Sequence, residues 1–151
     1  MFGYIYFFYY FCSRKKQIMF NKRVVQLFKH CKNVMKRKDL RTLLAIAAVA
    51  TANVEGFTIN AATLAPVTTG YAVAIKETQN SFGFAGMVEV YKYIQQHPEI
   101  NAVGGWYNSE NGKFYFDATI VVSDLSTALE LGRANEQIAI FDLNTLTEIR
   151  L

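Results

Sequence analysis

Apolar residues recur through residues 20–35 at spacings of four and three: Phe20, Val24, Leu27, Cys31 and Val34, with Lys22, Arg23, Lys29 and Lys32 largely elsewhere on the wheel. That periodicity predicts a basic amphipathic helix. A second helical stretch, alanine-rich, is predicted over residues 39–52, ended by Asn53 and Gly56. Past Gly56 the period changes from helical to alternating. Residues 57–60 form a short strand candidate and Pro66 marks a turn or an edge. Residues 70–76 (GYAVAIK) form a firmer strand, with Tyr71, Val73 and Ile75 alternating with alanines. The polar run KETQNS over 76–81 breaks the pattern. Ser81 is placed to cap a helix over 84–96 whose apolar stripe is Met87, Val90, Tyr91 and Ile94. His97, standing before Pro98, ends that helix, because a residue before proline disfavours the α conformation.

Residues 102–107 and 113–122 read as a hairpin around NSENG, with Asn111 and Gly112 as the turn signal. In the second strand Phe114, Phe116, Ala118, Ile120 and Val122 share one face, and Tyr115, Asp117 and Thr119 share the other. One face is predicted to be core and the other at least partly wet. Ser123 or Asp124 caps a helix over 125–135 that turns Ala128, Leu129 and Leu131 inward, and residues 138–142 and 147–150 close the chain as another strand pair. The predicted order is one helix followed by β-β-α-β-β-α-β-β. It implies a single α+β domain over residues 39–151, a mostly antiparallel sheet with two helices on one face, preceded by an N-terminal helical basic arm within residues 1–38.

Charge divides the chain at the same place. The formal charge is +4 over 151 residues, but residues 1–41 hold eleven bases against Asp39 alone, a net +10, which leaves −6 on residues 42–151. A basic arm therefore precedes an acidic body. At 52% hydrophobic residues the chain is neither a disordered nor a collagen-like sequence.

Residues 1–11 (MFGYIYFFYYF) are apolar and aromatic, but too few for a spanning helix, which needs about 20 residues, and no basic n-region precedes them. Three readings stay open for this leader. Translation starts at Met19 or Met35 and the leader is not made; or the leader anchors at a membrane interface with Arg14, Lys15 and Lys16 on anionic lipid; or it packs on the body. Residues 35–52 also carry the grammar of a secretory signal, a basic start, an apolar stretch and small residues at Ala48, Ala50 and Ala52, against which stands the opening helix of the body. The expected location is the cytoplasm, with membrane association through residues 1–38 or export from a Met35 start as alternatives.

The runs GYAVAIKETQNSFG (70–83) and GGWYNSENGKFYFDATIVVSDLSTALELGRANEQIAIFDLNTLTEI (104–149) resemble small uncharacterised proteins carried by phages and conjugative elements of gut bacteria. The likeness covers about residues 55–151 and none of the arm. It implies a bacterial, accessory context, and it carries no activity and no site residues.

The chain holds no G-x-G-x-x-G, P-loop or H-E-x-x-H pattern, and His97 is the only imidazole of the body. Cys12 and Cys31 lie in the arm without zinc or redox spacing, so no metal and no cofactor is expected. Glu77, Asp117 and Asp124 end or flank strands as candidate carboxylates, with Asp117 read as a solvent-facing strand position and Asp124 as a helix cap. The candidate binding surface is the polar junction of Lys76, Glu77, Gln79 and Asn80 with the aromatic Trp106 and Tyr107 of the hairpin, Tyr115 nearby. These features lead us to expect a non-enzymatic protein-binding accessory domain of a mobile element with an unknown protein partner. The first alternative is binding of nucleic acid or anionic membrane through Arg14, Lys15, Lys16, Lys22, Arg23, Lys29, Lys32, Lys36, Arg37 and Lys38, although the acidic body would repel phosphate. The second is a small enzyme using strand-borne carboxylates.

Overall fold

The structure, a computed structural model, describes residues 36–151. The leader and the basic helix expected over residues 1–35 lie outside the described residues, and with them Arg14, Lys15, Lys16, Lys22, Arg23, Lys29 and Lys32. The chain divides into two compact units, Met1–Leu44 and Ala45–Leu151, and helix α1 (Arg37–Ala52) runs across the boundary. Lys36, Arg37 and Lys38 are exposed at its start. At its end the Asn53 backbone N–H and side-chain amide both donate to the Val49 carbonyl, satisfying a carbonyl that the helix leaves open. Among the described residues no helix is long and apolar enough to cross a membrane.

The second unit is α+β. After α1 come β1 (Gly56–Asn60), β2 (Tyr71–Ala74), a 3-10 turn (Lys76–Thr78), α2 (Gly83–Gln96), β3 (Ala102–Asn108), β4 (Lys113–Val122), α3 (Leu125–Ala134), β5 (Ala139–Asp142) and β6 (Thr147–Arg150). The strands form one antiparallel sheet in the order β1-β3-β4-β2-β5-β6. Two crossovers, β2-α2-β3 and β4-α3-β5, each join parallel strands across one intervening strand, the split β-α-β arrangement. The two run in opposite senses along the sheet from strands of opposite direction, so right-handed connections put both helices on the same face.

That face is the core. Val73, Ala128 and Ile140 are buried together, with Tyr71, Val122, Leu129, Leu131, Ile149 and Leu151 packed around them. Met87, Val90, Tyr91 and Ile94, the predicted stripe of α2, are all buried. Burial of each such side chain contributes about 1.5–3 kcal/mol, which outweighs any propensity difference along these short strands. Phe57, Phe114 and Phe116 cluster toward the β1 end of the same face, Phe57 stacked on Phe114 and edge-on to Phe116. Gly105 is what lets them meet, since a Cβ there would come within 2.5 Å of the Phe57 ring and 2.8 Å of Phe114.

One expectation about entry into α2 is corrected. Ser81 does not cap the helix; the N-cap is Phe82, and no side chain supplies the capping bond. Ser81 is buried, and its carbonyl instead accepts the Phe116 amide at 2.8 Å, so it serves as an anchor for β4. The turn of the hairpin forms where Asn111 and Gly112 predict it, with Gly112 at φ +69°.

Candidate functional site

The site is built around the middle of β4. Beyond Ala74 the second strand stops pairing in the regular way and bulges outward, yet the chain stays tied to β4 at three points. Ile75 N–H donates to the Ala118 carbonyl at 2.9 Å, Ala118 N–H donates to Thr78 Oγ1 at 3.0 Å, and Phe116 N–H donates to the Ser81 carbonyl. The Thr78 hydroxyl, itself donating to the Ile75 carbonyl, stands in for a missing backbone acceptor in the ladder. Lys76, Glu77, Gln79 and Asn80 are thereby pushed into solvent. Gln79 and Asn80 lie between the anchors at Ala118 and Phe116, abreast of Asp117.

The four polar residues differ in what they have left to offer. Lys76 is in a salt bridge with Glu136, and its backbone N–H donates to Asn135 Oδ1 at 3.2 Å. Glu77 engages the Tyr93 hydroxyl, whose pKa is raised by burial and by that carboxylate. Asn80 holds a left-handed backbone, φ +65°, of the kind asparagine tolerates in tight turns. No hydrogen bond to another described residue holds the side chains of Gln79 and Asn80.

On the sheet face opposite α2 and α3, Trp106 and Tyr115 are cross-strand partners, and their rings stack with centroids 5.1 Å apart at 17°. Phe82, bridged to Tyr115, meets it edge-on at 5.8 Å, and Lys113 Nζ sits 3.8 Å from the centre of the Phe82 ring. Asn111 Nδ2 donates to the Tyr115 hydroxyl at 2.9 Å, fixing that ring from the turn. Trp106 nevertheless remains 46% exposed and Phe82 44%. A stacked pair contributes about 1 kcal/mol, less than full burial of the indole would. Tyr107, the neighbour of Trp106 in β3, pairs with Phe114 and so belongs to the helix-covered face. The two hairpin aromatics singled out by sequence therefore lie on opposite sides of the sheet.

Asp117 lies two residues along β4 from Tyr115 on the same face. The expectation of a solvent-facing position does not hold, because this carboxylate is partly buried. Burial pushes its pKa from 3.8 up to about 6, against the pull of a hydrogen bond from the Trp106 side chain. Its cross-strand partner is Gly104, which has no side chain to stand beside it. Asp124 is the expected cap of α3: its carboxylate accepts the Thr127 backbone N–H at 2.7 Å and the hydroxyls of Thr127 and Ser126. Glu77, Asp117 and Asp124 are thus each committed to separate partners. Among the described residues no group of three or more His, Cys, Asp or Glu side chains is placed to hold a metal ion.

No protein-family model, no curated protein and no solved structure matches the chain. The arrangement itself, an exposed aromatic strip of Trp106, Tyr115 and Phe82 beside one carboxylate, has two chemical uses. Its flat rings suit stacking against a planar group, and rings next to a carboxylate attract a cation. Base stacking along a nucleic-acid strand requires a basic surround. The −6 charge of residues 42–151 and the placement of Asp117 favour the cation. Phe82, Lys113 and Asp117 were not among the sequence-chosen binding residues; the alternation that puts Tyr115, Asp117 and Thr119 on one face pointed toward Asp117, and no sequence signal pointed to Phe82 or Lys113.

Proposed function

We propose that residues 45–151 form a non-enzymatic protein-binding domain whose strip of Trp106, Tyr115 and Phe82 receives an Arg- or Lys-bearing segment of a partner protein. The partner's cation lies against the rings and toward Asp117, while Gln79 and Asn80 offer amides to its backbone. The observation that carries this reading is the half-exposed Trp106, stacked on Tyr115 and bonded to the Asp117 carboxylate. Trp is one of the residues, with Tyr and Arg, enriched at the energetic centre of protein interfaces. An accessory role in a mobile element is part of this proposal and rests on the sequence texture of residues 55–151 alone.

The test is to pan a random peptide display library against the immobilised full chain and measure the recovered peptides by calorimetry. Binders enriched in Arg and Lys are expected, losing about 2 kcal/mol, roughly thirtyfold, with Trp106→Ala. The Lys76/Gln79/Asn80 triple alanine variant is expected to lose affinity as well. Binders without basic residues, or full affinity in Trp106→Ala, would defeat the proposal. One observation favours a second reading: a carboxyl titrating near 6 is suited to general acid–base chemistry close to neutral pH.

A further inference from the structure

The two edges of the sheet are finished differently. Outside β1 the chain folds back, so that Val67 N–H donates to the Thr58 carbonyl and Asn60 N–H to the Ala65 carbonyl, with Pro66 bridged to Ile59. That edge is covered, and by a proline. At the other edge β6 pairs with β5 on its inner side, and no strand among the described residues lies on its outer side.

The register says which groups the open edge offers. Leu151 N–H donates to the Ile138 carbonyl, so Leu151, Ile149 and Thr147 turn their backbone groups inward to β5, and Glu148 and Arg150 turn theirs outward. The alternation is confirmed one strand further in, where Leu143 N–H donates to the Gly70 carbonyl. Glu148 and Arg150 are exposed and have no ion-pair partner among the described residues. Their side chains share one face, while Ile149 on the other joins the core cluster.

We infer that the β6 edge is a self-association surface, where a second copy of this chain pairs antiparallel through a two-fold axis at Ile149 and the two sheets join. In that register Glu148 faces the partner's Arg150 and Arg150 the partner's Glu148. Both pairs are of the hydrogen-bonding kind, so the outward N–H and C=O groups of both strands are satisfied at once. A slip of two residues either way sets Glu148 against Glu148 or Arg150 against Arg150, which cross-strand pairing penalises. Ile149 meets its own copy on the core face. This surface is separate from the aromatic strip and does not depend on it.

Sedimentation velocity of the full chain across a wide range of concentration gives the test. Wild type is expected to form a reversible dimer, and Glu148→Arg and Arg150→Glu are each expected to weaken it about tenfold or more, since each makes both cross-strand pairs alike in charge. An equimolar mixture of the two variants restores opposite pairs at both positions and is expected to associate as wild type does. In amide exchange, Glu148 and Arg150 gain protection with concentration and Ile149 does not. A chain monomeric at every concentration would show that the edge charges only keep other strands away. Dimerisation indifferent to both swaps, or a mixture that fails to recover, would equally overturn the inference.

Discussion

Asp117 and Asp124 lie seven residues apart, one in the middle of β4 and one just past its end, and their environments push their carboxyls in opposite directions. Asp124 stands exposed at the start of a helix and accepts three donors, the Thr127 backbone N–H foremost, which holds its pKa below the usual carboxylate range. Asp117 is taken out of water by burial, with a single hydrogen bond from the Trp106 side chain to offset the loss, and its pKa rises to about 6. The number of donors that reach the charge decides the direction of the shift. At Asp124 the fold has already supplied the partners. At Asp117 it has supplied desolvation and one hydrogen bond.

The largest expected effect follows from that contrast. A folded-state pKa of about 6 against 3.8 means that the folded chain holds the Asp117 proton more tightly than the unfolded chain, so stability falls as pH rises from about 4 through 6. Two pH units correspond to at most about 3 kcal/mol. Asp117→Asn removes the ionisation and is expected to raise stability at pH 8 by about 1–3 kcal/mol in denaturant unfolding, with the gain shrinking toward pH 4. A variant no more stable than wild type at pH 8 would mean that the carboxylate is better solvated than its burial indicates. A basic ligand on the aromatic strip should recover the same free energy by supplying the missing positive charge, so affinity and pH dependence are expected to disappear together in Asp117→Asn.

Much of this was legible in the sequence, and the part that was not has a common cause. Alternation identified β4 and its two faces, the Asn111 and Gly112 turn located the hairpin, and the stripe from Met87 to Ile94 located α2, because each of these signals is local and periodic. The fold class and element order followed from them. Asp117 was misread because alternation gives the face a residue points to and nothing about what leans over it. The Trp106 bond depends on the β3–β4 register and on the bare Gly104 opposite. Ser81 looked like a cap because a serine before an apolar helix usually is one. Its role as an acceptor for Phe116 depends on a partner 35 positions away. Thr78 reaches Ala118 and Lys76 reaches Glu136 in the same non-local way. The polar junction was visible in composition, but which of its members had already found partners was not.

The smaller effect sharpens the other half of the comparison. Asp124→Ala leaves the first-turn amide of Thr127 and the hydroxyls of Ser126 and Thr127 without their acceptor, and it also removes a negative charge from the positive end of the α3 dipole. The expected result is a fall in Tm of about 5 °C at pH 7. Because the folded pKa is depressed, the stabilisation from this carboxylate is fully present above about pH 4, the ordinary range of an unfolded aspartate, and is lost as pH falls through the lower folded value. The gap between Asp124→Ala and wild type should therefore narrow on acidification below pH 4, in thermal scans where the Asp117→Asn gap has already closed. Asp124→Asn separates the two contributions, since the amide oxygen still accepts from Thr127 but carries no charge. If it unfolds with wild type at pH 7, the hydrogen bonds hold the helix start. If it unfolds with the alanine variant, the charge does, and the low pKa of Asp124 reflects the helix end rather than its three donors.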